Sequence, residues 1–152
     1  MFAFSLGGFL HGQTAAAMDE LLDSRAVTWA QACRFVLPAS GLAEENAGTA
    51  FVAAREQGWL PKGAAAESPV KLGELSFLIV QSFSLKKSFL CALFPGPRYA
   101  YRQLDNLGLL PGLRDPGLPV SGERLLHILG RVLSYRGGEE DPEPAEITIL
   151  DE

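Results

Sequence analysis

Two arginines and two tyrosines fall within five residues and form the set of side chains best suited to bind an anion: Arg98, Tyr99, Tyr101 and Arg102. Arg98 and Arg102 are four residues apart, so they share one face of a helix. A guanidinium holds a carboxylate or phosphate through two parallel hydrogen bonds. The segment therefore predicts a ligand-binding site for an anionic group, with Asp105 and Trp59 as supporting residues.

The same arginines also fit a purely structural role. Arg98 lies near the expected start of a helix, where a cation opposes the helix dipole and calls for a compensating anion. That anion is either Asp105 or Asp115 within the fold, or an external carboxylate or phosphate. The internal salt bridge and the external anion site are both consistent with the sequence.

Catalytic and cofactor signatures are missing from the sequence. It contains no Gly-x-Ser-x-Gly, no His-Glu-x-x-His and no glycine loop followed by Gly-Lys-Ser/Thr. His127 lies among leucines and isoleucine, which favours a half-buried packing histidine over a catalytic base. An enzyme would need a pocket that brings His127 together with Arg98, Tyr101 and Asp105. We therefore predict a non-enzymatic protein without cofactor or metal.

Charge is distributed unevenly along the 152 residues, whose net charge is −5. Residues 1–83 carry 5 basic and 8 acidic side chains, residues 84–136 carry 8 and 3, and residues 137–152 carry none and 7. The overall acidity and the lack of a dense Lys/Arg run argue against nucleic-acid binding. Residues 137–152 predict a flexible acidic tail, either solvated or lying on the basic region before it.

The two cysteines, Cys33 and Cys91, are too few for a zinc site or a disulfide framework. Each lies among apolar residues, so we expect buried free thiols, with a disulfide between them as the alternative.

The N-terminal segment, residues 1–17, has two interpretations. Its apolar run and small residues resemble a secretory signal, but a positively charged start is missing. The alternative is an N-terminal helix. No stretch is long enough and free enough of charge to span a bilayer, so we predict no transmembrane span.

Helical periodicity predicts an all-α domain over residues 18–136. Thr28 and Gln31 form a capping-box pattern, and Gly58 and Gly108 are placed to end helices in a left-handed conformation. Ser121 is placed to cap the last helix. The expected helices are at about 28–39, 46–57, 72–83, 86–94, 98–107 and 123–135.

Residues 50–84 and 100–134 align without a gap at an offset of 50, with eight identities in 35 pairs. The identical residues include the glycine stops, Leu-Pro pairs and Pro-Val pairs at 58/108, 60–61/110–111 and 69–70/119–120. Val27-Thr-Trp-Ala-Gln is similar to the second half of this unit, Val70-Lys-Leu-Gly-Glu. The chain is thus predicted to be a helical repeat bundle of one partial and two full units.

This unit resembles the S-layer homology (SLH) family, in which a helix ends at a glycine and a proline-containing segment leads into a second helix beginning "V-T-R-A-E". The resemblance covers roughly residues 26–134, and the matching segments are 54–60 with 69–75, 104–110 with 119–125, and 27–32. It implies a pseudo-threefold helical bundle that binds cell-wall polysaccharide without covalent attachment. Residues 95–102 also resemble small spirochaetal cell-envelope proteins of unknown function.

The chain departs from the SLH pattern at the ligand-binding residue. The arginine of "T-R-A-E" falls on Trp29, Leu72 and Gly122, none of which can hold a carboxylated sugar by a bidentate contact. The resemblance therefore implies that the scaffold is retained and the usual polymer site is lost.

Two functions follow as hypotheses. The first is a module of the cell envelope, periplasm or cell exterior that binds a wall polymer or another envelope protein through the second repeat. The second is a cytoplasmic protein–protein interaction scaffold with no glycan ligand.

Overall fold

The computed structural model describes residues 7–42, 46–85 and 92–139, with side chains from residue 15 to 138. Within these ranges the protein is all-α, as predicted, and contains no β-strand. Its helices are α1 (Gly7–Asp23), α2 (Trp29–Ala39), α3 (Ala47–Glu56), α4 (Leu72–Ser82), α5 (Pro97–Asn106) and α6 (Gly122–Glu139). No helix in the described part of the chain has the length and apolar character to cross a membrane.

Four of the described helices, α2 to α5, end in the same local structure. After α3, Gly58 has φ +74°, and the N–H groups of Gly58 and Trp59 donate to the carbonyls of Arg55 and Ala54. This is the Schellman arrangement, which satisfies carbonyls that the helix end leaves without partners. Gly41, Ser84 and Gly108 hold the same position after α2, α4 and α5, at φ values of +91°, +50° and +71°. The predicted glycine stops at Gly58 and Gly108 are confirmed.

Side-chain caps set two helix starts that the sequence predicted. The hydroxyl of Thr28 accepts from the Gln31 backbone N–H at 3.3 Å, and the Gln31 side chain accepts from the Thr28 N–H at 3.1 Å. At α6, the Ser121 hydroxyl accepts from the Arg124 N–H at 3.2 Å. These contacts satisfy amides that have no partner in the first helical turn.

Three extended segments, each just before a helix, are hydrogen-bonded to one another in the middle of the protein. The N–H of Val27 donates to the carbonyl of Val120 at 2.8 Å, and the N–H of Val70 donates to the carbonyl of Val27 at 2.9 Å. Isolated antiparallel bridges join Thr28 to Pro69 and Lys71 to Pro119. The starts of α2, α4 and α6 are thereby held side by side.

One apolar core extends from Leu21 on α1 to Val132 on α6. Helix α2 packs on α3, α4 packs on α5, and α1 packs on α6. The predicted buried side of α4 is confirmed, since Leu75, Leu78, Ile79 and Phe83 are all buried. Because α1 and α6 meet, the first and last described helices close the bundle.

The helix boundaries differ from the predicted ones mainly at the two ends. Helix α1 runs through residue 17 without a break, and Ala17 and Leu21 lie one turn apart on its buried side. Helix α6 starts at Gly122 and extends four residues beyond the predicted end at 135, so residues 137–139 of the predicted tail are helical. Most of the helix predicted at 86–94 lies outside the described residues, and so do residues 140–152.

Burial controls the chemistry of Cys33. This thiol is free and fully buried on α2, as predicted, and burial raises its pKa to about 12 from the ordinary value of 9.0. The prediction for Cys91 concerns a residue outside the described part of the chain.

We expect alkaline pH to destabilise the protein through Cys33. The folded state keeps the thiol protonated up to about pH 12, whereas the unfolded state ionises it above about pH 9. The contribution of the thiol to the free energy of unfolding is therefore complete below pH 9 and declines as the pH rises towards 12. At about pH 10.5 the loss amounts to about 2 kcal/mol. Urea unfolding of the native protein and of Cys33→Ala between pH 8 and pH 10.5 measures it. Equal pH dependence in the two proteins would contradict the prediction.

Candidate anion-binding cleft

Three parts of the fold form a cleft of about 440 Å³, which we call the basic cleft. The start of α4 contributes Lys71, Gly73 and Glu74, and a neighbouring loop contributes Pro116 and Gly117. The first turns of α5 contribute the remaining lining residues: Pro97, Arg98, Tyr101 and Arg102. Three of the four predicted ligand-binding residues therefore line one cavity.

The local sequence explains how α5 presents its arginines. Pro97 occupies the first turn, where its missing N–H costs no helical hydrogen bond. Ala100, Gln103 and Leu104 are buried against the core, which turns Arg98 and Arg102 outwards on the opposite face. Both arginine side chains are exposed. The predicted spacing of four residues thus places two guanidinium groups along one wall of the cleft.

The predicted internal partners of these arginines are engaged elsewhere. Asp105 pairs with Arg114 at 3.3 Å, and the carboxylate of Asp115 accepts from the backbone N–H of Gly117 at 2.8 Å. Within the described part of the chain, neither Arg98 nor Arg102 makes an ion pair or hydrogen bond. The internal salt bridge considered from the sequence does not form there.

Three further arginines of residues 84–136 donate to backbone carbonyls of loops and helix ends. Arg124 donates to the carbonyls of Pro111 and Leu113, the first contact at 2.9 Å. Arg131 donates to the Gly108 carbonyl at 2.9 Å. Arg136 donates to the Ser40 carbonyl at 3.3 Å and lies over the ring of Phe83. Three of the positive charges in residues 84–136 thus hold backbone carbonyls, whereas Arg98 and Arg102 have no partner among the residues that the structure describes.

The two tyrosines have different surroundings. Tyr101 is half-buried in the basic cleft, and desolvation raises the pKa of its hydroxyl, with a further contribution from the charge of Asp105. Its neutral hydroxyl is a hydrogen-bond donor at physiological pH. Tyr99 instead stacks on Phe94, with ring centroids 6.1 Å apart, and does not line the basic cleft.

Two charged residues of the cleft were not predicted. Lys71 is the residue before α4 and Glu74 lies in the first turn of α4, so both are distant in sequence from Arg98. The Glu74 carboxylate accepts weakly from the Lys71 backbone N–H, at 3.4 Å. A motif search could not have found them, because only packing of α4 against α5 brings them to Arg98. The cleft as built holds three cationic side chains and one anionic side chain.

The remaining candidates lie elsewhere. Trp59 is half-buried against the core, which fits the expected packing between helices. His127 is exposed, so the predicted half-buried position is wrong; the preceding residues Leu125 and Leu126 turn inwards and leave it on the outer face. It lines two other cavities, of about 790 and 290 Å³, and shares neither with Arg98 or Tyr101. Among the described residues, no cluster of three metal-ligating side chains occurs.

A second, smaller cleft of about 180 Å³ adjoins the basic cleft and shares Glu74 and Pro97 with it. We call it the apolar cleft. Its other lining residues are mostly apolar: Leu60, Pro61, Phe77, Pro95 and Gly96. Together the two clefts form a groove that is cationic at one end and apolar at the other.

The three positions that correspond to the SLH arginine are all buried. Trp29 is 2% exposed, Leu72 is fully buried, and Gly122 lies against the backbone of Leu21. A ligand outside the protein cannot reach a side chain at any of them.

A scan of the chain against protein-family models finds no match, and searches among curated proteins and solved structures find none either. Function is therefore inferred from the geometry of the basic cleft.

Proposed function

We propose that this protein is a non-catalytic module of the cell envelope that binds an anionic wall polymer through the basic cleft. The observation that carries the proposal is the pair of exposed guanidinium groups of Arg98 and Arg102, which have no partner among the described residues. An acidic envelope protein is the other ligand with the required charge.

The side chains of the basic cleft suit a polymer that carries many acidic groups, each of which is bound weakly. Each guanidinium can form charge-assisted hydrogen bonds with a carboxylate or phosphate, and Tyr101 adds a neutral donor between them. Lys71 contributes charge from the facing helix. Exposed ion pairs contribute little individually, so a polymer that engages several of them at once gains more than a single small anion.

The bonded segments before α2, α4 and α6 support the repeat organisation that we propose for this scaffold. Val27, Val70 and Val120 occupy corresponding positions in the partial and the two full units, and Val27 donates a backbone hydrogen bond to Val120 and accepts one from Val70. Likewise, Trp29 donates to Ser68 and Leu72 donates to Leu118, a pair of contacts at corresponding positions. Such contacts between like positions are what stacked units of an SLH-like bundle would make.

We expect the double variant Arg98→Gln, Arg102→Gln to lose at least about tenfold in affinity for purified cell-wall sacculi that carry their anionic polymers. Co-sedimentation across a salt series measures the loss, and binding of the native protein should weaken as salt screens the charges. The matched control is Arg25→Gln, Arg34→Gln, which removes the same charge away from the cleft and should bind as the native protein does.

Absence of binding to sacculi by the native protein at low salt would refute the polymer proposal. Equal loss in the two double variants would assign the effect to net charge and also refute a specific role for the cleft.

The second candidate is a cytoplasmic interaction scaffold without a glycan ligand. The continuity of α1 across residue 17 favours it, since cleavage there would cut a helix that contributes to the core. N-terminal sequencing of the protein from fractionated cells separates the two. A chain that begins near residue 17 in the envelope fraction supports export, and an intact start in the cytosol supports the scaffold.

A further inference from the structure

The groove formed by the two clefts has a definite polarity along α4. Phe77, in the middle of α4, lines the apolar cleft, whereas Lys71, at its start, lines the basic cleft. A ligand lying along the groove from the end of α4 towards its start would first meet apolar side chains and then cations. A segment that runs in this direction therefore fits the groove if its apolar residues precede its acidic ones.

Residues 140–152 of this chain, which we call the C-terminal segment, have this order. An acidic stretch, Glu140-Asp-Pro-Glu-Pro-Ala-Glu146, is followed by Ile147-Thr-Ile-Leu150 and then by Asp151 and Glu152. The apolar run matches the apolar cleft, and the two following carboxylates match Arg98 and Arg102.

The reach of the segment is sufficient. Arg136, near the end of α6, lies over Phe83, which directly follows α4. The 11 residues of α4 measure about 16 Å, so the groove begins less than that distance from Phe83. Seven residues lie between Glu139 and Ile147, and the eight steps from one to the other can extend over about 26 Å. The connection is long enough to place Ile147 at Phe77 and Asp151 near Lys71.

We propose that the C-terminal segment binds its own groove, with residues 147–150 in the apolar cleft and Asp151 and Glu152 in the basic cleft. This inference rests on the proposed function, since the segment would compete there with an external anion. The ligand affinity of the protein would then depend on release of its own acidic segment.

Two variants of the full chain test the docking. Ile147→Ser, Ile149→Ser, Leu150→Ser removes the apolar contacts without changing the charge, and Asp151→Asn, Glu152→Gln removes the two carboxylates. In NMR spectra we expect both variants to shift the amide signals of Gly73, Gly96 and Gly117, which line the groove. The signal of Gly130, exposed on α6, should stay unchanged.

Binding of inorganic polyphosphate tests the competition. Both variants should bind it about five- to tenfold more tightly than the native chain, and adding Arg98→Gln, Arg102→Gln should abolish the gain. The matched control Glu140→Gln, Asp141→Asn removes two charges from the linking stretch and should have a much smaller effect.

The two proposals fail in different ways. Unchanged groove signals in both variants would overturn docking of the C-terminal segment, whatever polyphosphate does. Shifted groove signals together with no polyphosphate binding by any protein would support docking and refute the anion-binding function. If the control Glu140→Gln, Asp141→Asn gained as much polyphosphate affinity as the two variants, the gain would reflect general charge repulsion, and the proposed competition would be overturned.

Discussion

Gly122→Ala is expected to destabilise the protein by more than about 3 kcal/mol or to prevent folding, because a side chain there has no space. A Cβ atom on Gly122 would lie 1.6 Å from the carbonyl oxygen of Leu21 and 2.5 Å from its carbonyl carbon. Both obstacles are backbone atoms, so a rotamer change cannot relieve the clash. The same contact places the Gly122 N–H 2.9 Å from the Ser24 carbonyl that accepts from it. Relief requires α1 to move away from α6.

Gly130→Ala is the matched control in the same helix. A Cβ at Gly130 meets nothing within 4 Å, and alanine is the better helix former, so this variant should gain up to about 1 kcal/mol. Urea unfolding followed by far-UV circular dichroism measures both changes. A Gly122→Ala protein as stable as the native one would show that α1 does not pack on α6 in this way.

Trp29→Ala is the second substitution with a large expected effect, about 3–5 kcal/mol of destabilisation. Trp29 is 2% exposed and is among the largest fully buried side chains of the described residues. It begins α2 next to Val27, where the extended segments meet, so its removal leaves a cavity beside their hydrogen bonds. Fixed backbone contacts there limit collapse of the cavity.

Trp59→Ala is the control for Trp29→Ala, because it removes the same residue type from a less buried position. Trp59 packs only partly against the core, so its loss should cost at most about 2 kcal/mol. Unfolding by urea, again followed by circular dichroism, compares the two variants without relying on tryptophan emission. Similar losses for both would contradict the burial of Trp29 at the centre of the bundle.

The predictions that the structure confirms concern neighbours in sequence. Thr28 and Gln31 cap a helix because their spacing brings each side chain to the other's backbone N–H. Gly58 and Gly108 end helices because glycine has no Cβ penalty in the left-handed region. The error at His127 is of another kind. Apolar neighbours indicated burial, but Leu125, Ile128 and Leu129 recur at helical spacing on the buried face of α6 and leave His127 on the opposite, exposed face.

The candidate site also has one feature that follows from local sequence and one that depends on tertiary packing. The spacing of Arg98 and Arg102 was enough to predict that both lie on one helix face, since helical geometry is local. That neither arginine has a partner in the described part of the chain was not predictable. Asp105 was an equally good partner for Arg98 by sequence, and the fold pairs it with Arg114.

The amino-acid sequence by itself determined the helical class, the caps, the glycine stops and the arginine pair, because each depends on contacts within a few residues. Tertiary structure alone decided which arginines are bound to other parts of the described chain. Packing directs Arg124, Arg131 and Arg136 to loop carbonyls that lie 11 to 96 residues away in the chain. It also brings Lys71 and Glu74 to the start of α5. Such long-range juxtapositions depend on how the whole core closes, and no local pattern in the sequence encodes them.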